Sequence, residues 1–500
     1  MFIRLIPVSR SFALFALISF IGAFVVVQYY NAQPGYTDAF YHYNAAQRIA
    51  VGEGFVDEYL WVYTGLPEKL PAPSHLYWMP GTSILAAIGM ALFGQTYAAA
   101  QVGFALCLWG ATLLTYVIGR KIGGTVRHAW FAGIMLFFGG AYLRFWGIMD
   151  TFAPYAFFGA LYLFAMGQAL TVSDKKWRWW LLAGIAAGAG HLIRNDGLLL
   201  LFVGVWCLLL ELVFSWSGRT QRAGTQPAAS ASDNIRHLLM FAGIFITGYL
   251  IIMTPWFIRN LQVSDAILPV GGTRAIWYLS YNDLFNYPPS ADATRFFEQG
   301  GIDFLISTRM SAIFDNDGAI MAFIAEQGMI ILTPFMLIAL WQQRRNPFFR
   351  AMIWFFIGVH LAFILLFPFP GNRGGRFHAV IALIPFWTAL ALVGLDSVID
   401  WLAKRRSTWN PRTAKPVFSA GMVLIVVIFS LTLAKRTPIQ NPSIYPLLDE
   451  TLPEDARIMI NDPAQLYYYT ERSGVVIPNE SPDVIPEIAA IYDIDYLLIE

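Results

Sequence analysis

The run Phe12-Ala-Leu-Phe15-Ala-Leu-Ile-Ser19-Phe-Ile-Gly-Ala23-Phe-Val-Val-Val27-Gln-Tyr-Tyr30 leads into the hydrophilic interval 31–97, which opens on Gly35-Tyr-Thr-Asp38-Ala-Phe-Tyr-His42-Tyr-Asn-Ala-Ala-Gln-Arg48-Ile-Ala-Val-Gly52-Glu-Gly54. The run is long enough to cross a bilayer, which takes about 17 to 25 apolar residues. Arg4 and Arg10 ahead of it also suit a secretory signal. However, the run exceeds a signal core, and Gln28-Tyr-Tyr-Asn31 is bulky where a cleavage site needs small side chains. It therefore reads as a first membrane helix with its N-terminus in the cytoplasm. Asp38 then stands a few residues beyond the membrane surface, where an acid can act on a lipid-borne substrate.

Composition agrees with that reading. The 500 residues are 57% hydrophobic, 16% aromatic and only 13% charged, with a mean hydropathy of +0.54. Such a chain is a polytopic α-helical membrane protein. A net charge of +1 without a Lys/Arg-rich arm argues against a nucleic-acid partner. Cys107 and Cys207 both lie in apolar runs, so neither a disulfide framework nor a cysteine metal site is expected.

About eleven spans are predicted, at 12–30, 98–119, 129–146, 151–171, 179–193, 197–216, 238–258, 326–341, 351–369, 379–400 and 417–434. Alternation from a cytoplasmic N-terminus puts every short basic loop inside: Arg120, Lys121 and Arg127; Lys175, Lys176 and Arg178; Arg219, Arg222 and Arg236; Arg344, Arg345 and Arg350; and Lys404 through Lys415. The extracytoplasmic side receives a first loop at 31–97, a second at 259–318 and the tail from 435. Most of the acids are there. Residues 217–237, rich in Ser, Ala and Gly, read as a cytoplasmic connector. The apolar stretch 80–94 is too short to cross and reads as an interfacial helix. These parts make a transmembrane domain over 1–434.

The tail, 435–500, reads as a small extracytoplasmic α/β unit. Strands are expected at 457–461, 475–478 and 496–500, and helices after the Asp462-Pro463 and Ser481-Pro482 caps. Ending on an apolar strand, it predicts a natural chain running past Glu500. It is expected to bring no carboxylate to the membrane surface, and so to be dispensable for chemistry.

Ionisable groups near a bilayer are costly unless paired or hydrated, so those that persist are candidates for function. On the outer side they recur at helix ends: Asp38; Arg144 and Asp150; His191, Arg194 and Asp196; Arg259; and Arg373, Arg376 and His378. Each also has a structural reading. Asp38 fits a helix cap, Arg194 and Asp196 a pair at a helix break, and Arg373 and Arg376 interfacial anchors, although the glycines of Gly371-Asn-Arg-Gly-Gly-Arg376 suit close approach of an anion. His42 and His75 have aromatic neighbours that favour packing over metal ligation. No GxxxxGK[ST], HExxH or GxGxxG motif is present.

Tyr36-Thr-Asp38-Ala-Phe-Tyr41, Ala46-Gln-Arg-Ile-Ala-Val-Gly52, Leu76-Tyr-Trp-Met-Pro-Gly81, Leu92-Phe-Gly94, Pro255-Trp-Phe-Ile-Arg259-Asn260 and Arg376-Phe-His-Ala-Val-Ile-Ala-Leu-Ile-Pro385 occur in that order. Together they resemble the C-type integral-membrane glycosyltransferases, the family 39-like group of protein O-mannosyltransferases and aminoarabinose transferases. The resemblance covers residues 1 to about 434, and the tail is similar to soluble extensions on some bacterial members. It implies transfer of a sugar from a polyprenyl-phosphate donor to a lipid, glycan or protein acceptor at the extracytoplasmic face of the plasma membrane. The family's catalytic carboxylate falls on Asp38. Ala39 stands where many mannosyltransferases carry a second acid, and Asp150 is the candidate partner. Some relatives need a divalent metal and others do not, so the metal stays open.

The chemistry asks for the same parts. A hydroxyl displacing a lipid phosphate needs a base within about 3 Å of its proton and cations on the departing charge. Asp38 suits the first. Arg376, Arg373, Arg259 and Arg194 suit the second, arginine forks matching phosphate oxygens. His75, Tyr41 and neighbouring aromatics are candidates for contacting the sugar, while the lipid tail lies against apolar helices among membrane lipids. The rival reading is a transporter or flippase for a lipid-linked saccharide. It predicts acids or broken helices near the bilayer midplane, whereas the acids here collect in the outer loops.

Overall fold

The computed structural model describes residues 9–216, 231–437, 439 and 442–499. Among the described residues, eight helices are long and apolar enough to cross a membrane: Arg10–Tyr30, Tyr97–Gly123, Phe152–Thr171, Asn195–Val213, Ile235–Ser264, Pro347–Leu366, Pro368–Ala403 and Pro411–Leu433. The three other expected spans are also helical but shorter or less apolar. They are Val126–Phe138 with a tight turn Gly140–Phe145, Lys176–Ile193, and Thr333–Gln343. The chain is a multi-pass helical membrane protein. Of the expected connector, 217–230 lies outside the described residues, and from Ala231 the chain is already helix.

Burial follows the sequence pattern. Arg10–Tyr30 buries Phe15, Ser19, Ala23, Val27 and Tyr30, a single stripe of its surface, and leaves Leu14, Leu17, Ile18 and Ile21 exposed to lipid. Phe152–Thr171 is buried nearly all round and forms the bundle's centre. Elsewhere small residues bring helices together: a Cβ on Gly184 would stand 2.1 Å from the Phe245 carbonyl oxygen, so Lys176–Ile193 packs backbone to backbone on Ala231–Ser264.

The loop face is built as a roof. The first loop folds into the helix Thr37–Val51, a two-stranded antiparallel ribbon of Val56–Asp57 and Ala72–Pro73, and the short helix Gly81–Phe93, which exposes Ile88, Leu92 and Phe93 as an interfacial helix would. Short helical turns fill the second loop, and the longer helix Gly301–Phe314 closes it.

The tail has its expected strands at Ile458–Ile460, Gly474–Val476 and Tyr496–Leu497 and its helices at Pro463–Thr470 and Ile485–Tyr492, with a further helix Ile444–Thr451. One feature differs from expectation. Tyr59–Leu60 of the first loop joins the sheet as a fourth strand, in the order Tyr59–Leu60, Gly474–Val476, Ile458–Ile460, Tyr496–Leu497, every pairing parallel. The reason is that Gly474–Val476 is buried along its length, and its outer edge would leave unpaired N–H and C=O groups without that partner. Tyr63 Oη adds a hydrogen bond to the Val476 carbonyl, and Tyr492 Oη donates to the Pro67 carbonyl at 2.6 Å. Loop and tail share one core, with Leu60, Tyr63 and Leu70 packed among Met459, Val475, Ile488 and Tyr492.

Gly474 sits where a Cβ would meet the Ile458 carbonyl oxygen at 2.1 Å. Gly474→Val should therefore force the central strands apart at a cost of about 1–3 kcal/mol. Limited proteolysis of the full chain in detergent should then release the tail while the membrane helices stay protected.

Candidate active site

Asp38 is the second residue of Thr37–Val51, a helix that starts from extended backbone at Tyr36 and stops at Gly52, whose φ of 91° only glycine adopts freely. A carboxylate in the first helical turn ordinarily gains from the exposed N–H groups there. Here the opposite dominates. Burial, then the charges of Asp150 and Asp462, raise the Asp38 pKa to about 8, against a smaller pull from Arg194 and a hydrogen bond from Trp78.

Asp150 ends the segment before Phe152–Thr171. Its Oδ2 accepts the Tyr36 hydroxyl at 2.5 Å, its Oδ1 accepts the Thr151 N–H at 2.5 Å, and His378 Nδ1 lies 3.5 Å from Oδ1. Burial raises this acid too, but His378, His42 and the two hydrogen bonds outweigh it and hold it below the ordinary carboxylate value. Two neighbouring acids are thus pushed in opposite directions, Asp38 upwards into the working pH range and Asp150 downwards.

Arg194 ties the surrounding helix ends together. Its guanidinium takes Asp196 through two hydrogen bonds of 2.8 and 2.7 Å, and reaches Thr151 Oγ1 at 3.1 Å and the Gly375 carbonyl at 3.0 Å. Thr151 Oγ1 in turn meets His378 Nδ1 at 2.9 Å. Arg373 lies over the ring of Tyr281, 5.3 Å from its centroid, and Tyr281 feels the charges of both Asp38 and Arg373. Asp38, Asp150, Arg194 and Arg373 are therefore brought to one centre.

Tyr41, His75 and Arg259 form a neighbouring cluster around Asp57. Tyr41 donates to Asp57 at 2.8 Å and accepts the His75 N–H at 2.6 Å, and Arg259 donates to the Ser74 carbonyl at 2.6 Å. Burial, opposed by the Tyr41 hydrogen bond and by Arg48 and Arg259, lifts Asp57 to about 7. His75 Nε2 and His42 Nδ1 share Ser83 Oγ at 3.0 and 2.8 Å. The cluster adjoins Asp38 through Trp78, whose ring lies 4.4 Å from that of Tyr41.

Arg376 stands apart from both. Fully buried, it donates to the carbonyls of Asp317 and Ala312 at 2.8 and 3.1 Å and to Asn372 Oδ1 at 3.3 Å. The glycine-rich turn thus ties Arg376 to the second loop. Arg376 lines a separate cavity of about 480 Å³ with Arg144, Asp317 and Glu326. Among the described residues no group of three or more His, Cys, Asp or Glu side chains is arranged to hold a metal ion.

Sequence reasoning did not single out Thr151, Trp78, Tyr281 and Asp462 as partners of Asp38 and Asp150. Thr151 was marked only by following Asp150. Asp462 read as a helix cap alone, and nothing local placed the tail beside the first loop.

The raised pKa carries a stability cost with a definite sign. Between its ordinary value of 3.8 and about 8, folded Asp38 binds a proton that the unfolded chain releases, so stability contributed by the protonated form falls as pH rises through that window. Thermal unfolding in detergent should show this decline, and Asp38→Asn should flatten it and raise the midpoint near pH 8.

A family model described as dolichyl-phosphate-mannose-protein mannosyltransferase matches residues 77–220. Among solved structures, ArnT from Cupriavidus metallidurans bound to undecaprenyl phosphate is similar with a TM-score of 0.55 and 16% identity, over 97% of this chain and 89% of that one. The oligosaccharyltransferase AglB from Archaeoglobus fulgidus, in complex with an inhibitory peptide and a dolichol-phosphate, is similar with a TM-score of 0.51 and 14% identity over 93% of this chain. Against AglB the chain spans 65% of the length, just under two thirds. A search among curated proteins finds no match. Neither the family match nor these neighbours point to a transporter. The chain shares the fold of ArnT and AglB, and its residues 77–220 match the dolichyl-phosphate-mannose-protein mannosyltransferase family model in sequence.

Proposed function

We propose that the protein transfers a sugar from a polyprenyl-phosphate carrier to an acceptor hydroxyl at the outer face of the plasma membrane. The N-terminus is cytoplasmic in this reading, and both long loops and the tail are extracytoplasmic. The observation that carries it is the divergent pair Asp38 and Asp150, roofed by the two loops, in a fold whose solved examples hold dolichol-phosphate and undecaprenyl phosphate.

The acceptor oxygen attacks the anomeric carbon, its proton passes to Asp38, and the bond to the phosphate oxygen breaks to release polyprenyl phosphate. A base with a pKa near working pH is efficient in both holding and releasing that proton. Asp150 fixes Tyr36, the residue two before Asp38, through a 2.5 Å hydrogen bond. Arg373 meets the charge growing on the leaving phosphate, its guanidinium resting on the Tyr281 ring face. Arg194, already committed to Asp196, Thr151 and Gly375, holds the frame. Tyr41 and Trp78 pack together beside Asp38 and form an aromatic wall for the sugar.

Purified protein given a panel of polyprenyl-phosphate sugars should turn over at least one. The rate should rise with pH towards about 8 as Asp38 loses its proton, and Asp38→Asn should lower it about 100-fold or more at nearly unchanged donor affinity. No turnover of any member, or a wild-type rate in Asp38→Asn, would overturn the assignment.

A further inference from the structure

The helix Thr37–Val51 has two working faces. Asp38, Tyr41 and His42 turn towards the bundle and first loop. Thr37, Phe40, Asn44 and Arg48, spaced three and four residues apart and so on one stripe, turn towards the tail helix Pro463–Thr470. Each makes a contact there: Thr37 Oγ1 donates to Asp462 Oδ2 at 2.5 Å, the Phe40 ring lies 4.9 Å from that of Tyr468, Asn44 Nδ2 donates to the Ala464 carbonyl at 2.9 Å, and Arg48 reaches Tyr467 Oη at 3.3 Å.

We infer that Asp462 is a positioning residue for the Asp38 carboxylate, so that the C-terminal unit is built into the reaction centre and does not merely stand beside it. This rests on the reading of Asp38 as the base. A helix cap needs one carboxylate oxygen, and Asp462 uses Oδ1 for it, accepting the Gln465 N–H at 3.0 Å. The second oxygen is spent across the interface, on the residue immediately before Asp38. Thr37 is the first residue of its helix, and Tyr36 before it offers no capping side chain, so the hydrogen bond to Asp462 fixes the very turn that aims Asp38. The expectation that the tail brings no carboxylate to the centre is thereby corrected.

Asp462 also acts through its charge. The groups around Asp38 are Asp150, Tyr36, Tyr77 and Trp78, Arg194, Tyr281 and Asp462. Asp462 itself faces Thr37 and Tyr59. After burial and Asp150, Asp462 is the next cause raising the proton affinity of Asp38, so neutralising it must lower that affinity.

The test reads Asp38 without substrate. In the full-length protein, the infrared band of its protonated carboxyl is assigned by its loss in Asp38→Asn and followed against pH. Asp462→Asn keeps the Gln465 cap through its amide oxygen and turns its amide N–H towards Thr37 Oγ1, which then accepts; the charge is removed, and the midpoint should move down by about half to one pH unit. Asp449→Asn, a tail carboxylate paired with Arg472, should leave it in place. In turnover of polyprenyl-phosphate mannose or whichever panel member reacts, Thr37→Val and Asp462→Ala should lower kcat about tenfold with KM for the donor little changed, and Asp462→Asn should restore most of it. An unmoved midpoint in Asp462→Asn, or the same shift in Asp449→Asn, would overturn the inference. A shifted midpoint in a protein that turns over no donor would leave this coupling standing and remove the transferase reading.

Discussion

Asp38 is held in a place where its charge is poorly tolerated. It sits under a roof of two loops and a tail, and feels the charges of a second carboxylate, Asp150, from the bundle and a third, Asp462, from the tail. An isolated buried carboxylate would neutralise itself, and several together cannot all ionise. Much of the surrounding structure answers that constraint. Tyr36, Thr151 and His378 gather on Asp150, Arg194 anchors Thr151 to Asp196 and the Gly375 carbonyl, and Thr37 takes the free oxygen of Asp462. The result is a site where the proton affinity of Asp38 is raised and that of Asp150 is lowered.

The fold serves this by bringing helix ends to one level. Asp150 precedes Phe152–Thr171, Arg194 follows Lys176–Ile193, and Arg373 and His378 lie near the start of Pro368–Ala403, so three bundle helices deliver polar groups at their termini while their shafts stay apolar. Polar groups at helix ends avoid the cost of lying deep in hydrocarbon. The first loop then lays Thr37–Val51 across these ends, and the tail clamps that helix from outside through a shared parallel sheet.

The membrane fold was legible in the sequence because its signal is long and local: apolar runs of spanning length, basic residues between them, and the Pro/Gly fences of the 80–94 helix. Asp38 and Asp150 were legible as acids at helix ends, and so were the tail strands and the Asp462 cap. What escaped was set by tertiary contact. The strand Tyr59–Leu60 is two residues long and pairs with a partner at the far end of the chain, a choice no local pattern encodes. The hydrogen bonds of Arg376 to the carbonyls of Ala312 and Asp317 escaped as well, because those carbonyls belong to a loop whose path the sequence does not announce. Asp462 carried a correct local reading that hid its second oxygen.

In the proposed reaction the lipid-borne phosphate and the acceptor meet at the Asp38–Asp150 centre and not in the cavity beside Arg376. Cryo-electron microscopy of the full-length protein with undecaprenyl phosphate tests it most directly. Phosphate density is expected between Arg373 and the first turn of Thr37–Val51, with the lipid leaving sideways between apolar helices. Phosphate density held instead by Arg144 and Arg376, with the Asp38 centre empty, would contradict it.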